Sequence, residues 1–280
     1  MVNKEPNKNY LQLRMCPKRM NKGAIYTSKI IKATALIADT MQLLNHYDHN
    51  IATKQNLDQA RSTNIFGKAS RSRVEDILNI FRQRYLENVQ VGEALSVLVK
   101  EGYIYDGLIK LFYYFSALSD KLLYDAVIKV IYPHYLQGDE EIYLSTIIQA
   151  IYEWKEDGKT TTNWSEKTII RVAQHILATL RDFRILEGVK VKKITPIYMP
   201  LGVFSLISLY LYFETGRGEK VLHHPDWKLF FWEDAQVERA FYEAHQLKLL
   251  DYQAAGSTIR LGYPSTNLKE YAYAILERAN

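Results

Sequence analysis

Apolar residues in this chain return at intervals of three and four, segment after segment, and that spacing commits most of it to helix. From Ser28, placed where an N-cap belongs, Ile30, Ile31, Ala35, Leu36, Ile37, Met41 and Leu44 follow it. A short helix is predicted over Asn56–Arg61. In a helix over Ser70–Leu86, Val74, Ile77, Leu78, Phe81 and Tyr85 share one face, with Arg71 and Arg82 opposite. Further helices are predicted near Gly92–Glu101, Tyr105–Ala117 and Ser119–Tyr132. Strand signals are confined to Val189–Tyr198, which alternates, and to Leu250–Gln253 and Ser257–Leu261 around an Ala255-Gly256 turn. The fold class is therefore mainly α with small β-hairpins.

Pro133 and Gly138-Asp139 mark the best internal boundary. The chain then divides into a loose segment over 1–23 with no apolar period, a helical domain over 24–137 and a second domain over 138–280. In the first domain, helix, short helix, Gly67 turn and amphipathic helix follow in helix-turn-helix order. The second carries a weak internal repeat. Its first copy runs from a helix over Glu141–Trp154 to one from Ser165 to Asp182, then Ile185-Leu186 and the alternating stretch. Its second runs from Leu201–Glu214 to Glu233–Gln246, then Leu249-Leu250 and the terminal ribbon. Helix, aliphatic pair and two-stranded ribbon make a tandem of winged-helix-like modules the expected architecture.

With 280 residues, 48% of them hydrophobic and 21 of them Tyr, the chain has ample material for a core. One cysteine, Cys16, excludes an internal disulfide framework and fits a reducing cytoplasm. The first twenty residues lack the apolar core of a signal peptide. Leu201–Phe213 is the most lipid-like stretch; a spanning helix needs about 20 apolar residues, so a buried helix and no membrane insertion are expected. The net charge is +5, and the excess lies at the front, where Lys4, Lys8, Arg14, Lys18, Arg19, Lys22, Lys29 and Lys32 face only Glu5. Such asymmetry fits either a polyanionic partner or a solvated basic tail.

No phosphate loop, paired-glycine dinucleotide motif, nucleophile elbow or zinc-protease helix is present, and no cofactor is implied. Asp120, Asp125 and Asp182 are a thin carboxylate set for a nuclease, and Arg181-Asp182 reads as an ion pair. His223-His224-Pro225-Asp226 is too short and too isolated for a metal site; Asp226 as a helix cap ahead of Trp227 is the simpler account. The basic clusters carry more. Lys68, Ser70, Arg71, Ser72 and Arg73 gather at a helix start, where unpaired N–H groups and the positive dipole end suit a phosphate. Read blandly, they are a Ser70-capped surface helix with Glu75 and Asp76 in its first turns. Lys167 and Arg171 lie on the helix ahead of the first ribbon, and Lys190, Lys192 and Lys193 on the ribbon itself. Those three serve equally well as a backbone-contacting wing or as the lysines that guard an edge strand.

In order, the chain holds Asn64-x-x-Gly67-Lys68-x-Ser70-x-Ser72-Arg73, then Arg82-x-Arg84-Tyr85-Leu86 and Trp164-Ser165-Glu166-x-Thr168. Leu180-Arg181-Asp182-Phe183-x-Ile185-Leu186, His224-x-Asp226-Trp227-x-x-Phe230, Glu243-Ala244-His245-Gln246 and Ala255-Gly256-x-x-Ile259-Arg260 follow. This succession, over about Ala24 to Tyr263, resembles the BREX (bacteriophage exclusion) protein A family of bacterial phage-defence clusters. The resemblance implies a mostly helical, non-enzymatic protein that binds double-stranded DNA beside other BREX proteins, in systems that methylate host DNA and block phage replication. It also implies a likeness to helical antiterminator folds, and it carries no catalytic residues. Two departures stand out: Arg184 occupies a place where glycine is common, and the basic front is longer than expected. A scaffold that binds other defence proteins without touching DNA is the alternative.

Overall fold

The computed structural model describes residues 25–256 and 258–279; the expected loose segment and Cys16 lie outside them. The helix predicted from Ser28 is broken in two. Ser28–Lys32 is a 3-10 turn, Leu36 adopts a left-handed φ of 52°, and α1 begins at Ile37 and ends at His46. Between them the Arg84 guanidinium takes the carbonyls of Thr34 and Ala35, which therefore leave the helical ladder. Helix α2 (Thr53–Ser62) is longer at both ends than its apolar signal, and α3 (Arg71–Phe81) runs on into a π turn over Arg82–Leu86. Helices α4 (Val89–Lys100), α5 (Tyr105–Ser119) and α6 (Lys121–Ala126) follow.

Pro133 does not end the next helix. A π turn over Val127–Ile131 leads into α7 (Tyr132–Leu136), with Pro133 in its first turn. Proline lacks an N–H and crowds the carbonyl four residues back, and the wider π turn relieves that crowding. Glu141-Ile142, expected in a helix, is instead strand β1, ahead of α8 (Leu144–Glu156) and α9 (Glu166–Asp182). The alternating stretch forms less ladder than it promises: only β2 (Leu186–Glu187) and β3 (Lys192–Ile194) pair, and Pro196 and Pro200 offer no N–H beyond them. Strand order is β1-β3-β2, all antiparallel, with Glu141 opposite Lys193 and Leu186 opposite Ile194.

The remainder is α10 (Leu201–Thr215), α11 (Gly218–Leu222), a 3-10 turn over Pro225–Phe230, α12 (Asp234–Gln246), a hairpin of β4 (Asp251–Ala255) and β5 (Thr258–Gly262), and α13 (Leu268–Ala279). Ten of the fifteen residues of α10 are buried, so it is apolar because it is central. No helix among the described residues is long and apolar enough to cross a membrane.

α9 and α12 end alike. Arg184 and Lys248 adopt left-handed φ values of 58° and 57°, and the next N–H, of Ile185 or Leu249, returns to the carbonyl of Leu180 or Ala244. This is the left-handed C-terminal turn that favours glycine, and at Arg184 and Lys248 a long cationic residue stands in it. The left-handed backbone costs Arg184 roughly 1 kcal/mol, and its side chain is held by Asp106 and lies 5.3 Å from the centre of the Tyr105 ring.

Buried side chains from Tyr26 to Ile275 form one continuous core. Asp226, expected as a helix cap, is fully buried within it: its carboxyl oxygens accept from the Tyr114 and Tyr124 hydroxyls, each at 2.9 Å. The cap is the His224 ring, which accepts the Asp226 N–H. At the other end of the chain, α13 packs along α4.

Candidate nucleic-acid interface

The first basic cluster surrounds an open cleft of about 530 Å³ between α2 and the start of α3, lined by Asp58, Arg61, Asn64, Lys68 and Arg71 among others. Gly67 makes the turn with a φ of 60°, and the Asn64 side chain closes it by bonding both the N–H and the carbonyl of Lys68. Most of the cations here have work within the fold. Lys68 pairs with the nearly buried Asp39 at 2.8 Å. The Arg73 guanidinium donates to the Lys32 carbonyl, and the Ser70 hydroxyl accepts the Arg73 N–H as the α3 cap. Arg61 bonds Glu75 and Asp58, and its hydrogen bond is the main reason the Glu75 carboxyl titrates below its usual range. Arg71 and Ser72 remain exposed. The cleft is thus close to charge balance.

The second cluster is differently placed. Ser165 caps α9 by accepting the Thr168 N–H, and Ile169, Val172, Ala173, Ile176, Leu177 and Leu180 seal its inner face. On the outer face Lys167, Arg171 and Gln174 stand one turn apart and exposed. No ion pair holds either cation among the described residues. Gln174 escaped the sequence reading because it carries no charge; only its seven-residue offset from Lys167 marks it.

The hairpin beyond α9 divides its lysines by role. Lys190 is exposed at the turn, beside Val189, which is 84% exposed. Lys193 is exposed and lies 3.7 Å from Glu141 across the sheet. Lys192, expected to be a contact on the ribbon surface, is 5% exposed; its ammonium donates to the Gly188 and Val189 carbonyls at 2.6 and 2.8 Å. Burial depresses its pKa, with Arg181 adding to the effect. Lys192 therefore braces the turn that carries Lys190.

The 3-10 turn Ser28–Lys32 links the two clusters, packing on α9 while Lys32 binds Asp76 and Arg73 of α3. The thin carboxylate set is not brought together as one. Asp120 caps α6, Asp125 binds Lys121, Lys129 and Tyr26, and Asp182 pairs with Arg181. His223 pairs with Asp234 rather than with its neighbours.

Comparison with curated proteins finds no match. Comparison with protein families finds one, described as BrxA, over residues 24–209, which takes in both basic clusters and stops inside α10. That span is roughly two thirds of the sequence, and the chain belongs to the BrxA family, protein A of the BREX phage-defence systems.

Proposed function

We propose that this BREX component is a cytoplasmic, non-enzymatic subunit that binds double-stranded DNA, with α9 as its groove helix and the β2–β3 hairpin as its wing. The observation that carries the reading is the exposed stripe of Lys167, Arg171 and Gln174 on α9, next to a hairpin with Lys190 at its turn. A strand, two helices and two further strands in the order β1-β3-β2 is the arrangement of winged-helix modules, whose second helix enters the major groove. Arginine and glutamine on such a helix reach base edges, while lysines on the wing meet phosphates. Arg71 and Ser72 at the start of α3 are a further phosphate contact, reached across the Ser28–Lys32 turn.

Fluorescence anisotropy with a labelled duplex of about 30 base pairs, titrated with salt, tests this. Each phosphate neutralised contributes about −0.9 to the log–log slope. Lys167→Glu with Arg171→Glu is expected to make the slope shallower by about 2 and weaken binding at least tenfold. Parent protein with no salt-dependent affinity for duplex DNA would sink the reading.

One observation favours the scaffold as a second reading for the C-terminal module. The outer face of α12 presents Asp234, Glu238 and Arg239 paired with Glu243, a net negative set, with Tyr242 about half exposed and exposed Glu233 and Leu247 at its two ends. An acidic face with exposed apolar groups repels a phosphate backbone and suits other BREX proteins.

A further inference from the structure

The outer face of α9 carries a single line of side chains. Lys167, Arg171, Gln174, Ala178 and Arg181 follow one another at helical spacing, so all fall within about 80° of arc, opposite the sealed inner face. They are not equivalent. Arg181, near the C-terminal end, pairs with Asp182 at 2.8 Å, and Ala178 offers only a methyl group. Lys167, Arg171 and Gln174 occupy the N-terminal half of the helix. No hydrogen bond or ion pair holds their side chains among the described residues.

Gln174 is the odd member of the line. Glutamines on other helices are occupied close by: Gln55 and Gln236 accept the N–H of Ala52 and of Glu233 at 3.1 and 3.0 Å, and Gln149 donates to Glu153 at 3.3 Å. A neutral amide adds nothing to the attraction toward phosphates, which scales with charge. In a major groove it can accept from N6 and donate to N7 of one adenine, as a guanidinium donates to N7 and O6 of a guanine. Arg171 and Gln174 are three residues apart, an axial rise of about 4.5 Å against a base-pair step of about 3.4 Å. Both lie in the part of the helix that meets base edges when a recognition helix enters the groove.

We infer that α9 reads sequence: Gln174 selects an adenine and Arg171 a guanine in a neighbouring base pair. The preferred ligand is then a duplex carrying that two-pair element rather than any duplex. This inference rests on the DNA reading above and adds to it a choice among duplexes. Lys167 and Lys190 meet phosphates, which seat the helix without reading bases.

The test is selection by the parent protein from a pool of duplexes of about 30 base pairs with a randomised centre, followed by sequencing. Enrichment of adjacent G·C and A·T pairs is expected. In anisotropy, replacing the enriched A·T pair with G·C should weaken parent binding about fivefold or more. Gln174→Ala should bind both duplexes alike, at the weaker affinity, and keep the parent's salt slope because no charge is lost. Arg171→Lys also keeps its charge and should relax the choice at the guanine position alone. Both positions are exposed, and thermal melting checks the fold of each variant. A parent that binds duplex with a salt slope but enriches no element would overturn the readout and leave the α9 reading standing. A Gln174→Ala protein that still prefers the A·T duplex would do the same. A parent with no salt-dependent affinity for duplex DNA overturns both.

Discussion

The Ser70 hydroxyl satisfies the Arg73 N–H, one of the four donors left unpaired at the start of α3. Replacing it with Ala is expected to lower stability by about 1 kcal/mol in urea denaturation, with no change in the salt slope of DNA binding. Its neighbours divide in the same way, with Lys68 and Arg73 engaged by the fold and Arg71 left outside. The cluster was visible from charge alone. Which cations were free was not, because the partners Asp39 and Lys32 lie some thirty to forty residues earlier in the chain.

The β2–β3 hairpin separates two lysines that differ by two positions. Lys190→Gln is expected to make the DNA slope shallower by about 1, the loss of a single phosphate contact. Lys192→Met is expected to leave the slope within error but to speed amide exchange at the turn, since the Gly188 and Val189 carbonyls lose their shared donor. What could be read beforehand followed the strength of the local signal. α9 and α12 were legible almost to the residue, because each has a cap, a sealed inner face and an aliphatic pair after its end. β1 was invisible: two residues cannot display a period of two, and only its pairing with β3 makes it a strand. The break after Lys32 and the passage through Pro133 leave no local signal, for a related reason. Each depends on a distant guanidinium or a widened turn rather than on the residues at the break.

At the scale of the whole molecule, Asp226 ties α5 and α6 to the C-terminal half through two tyrosine hydroxyls and shares its turn with the His224 cap. Asp226→Ala removes an acceptor from the buried Tyr114 hydroxyl and from the half-buried Tyr124 hydroxyl. A loss of about 2 kcal/mol is expected, from weakened satisfaction of these two hydroxyls, read as a lower denaturation midpoint. Tyr114→Phe in the same background should recover part of it. The packing of α13 along α4 joins segments that leave the ribosome far apart in time. Some 170 residues separate the two helices. At about 5–20 residues per second, the apolar flank of α4 stays bare for on the order of ten to thirty seconds before its cover is made. During synthesis, then, this protein presents an open greasy seam that only its last helix closes, and its yield in the cell depends on what shields that seam meanwhile.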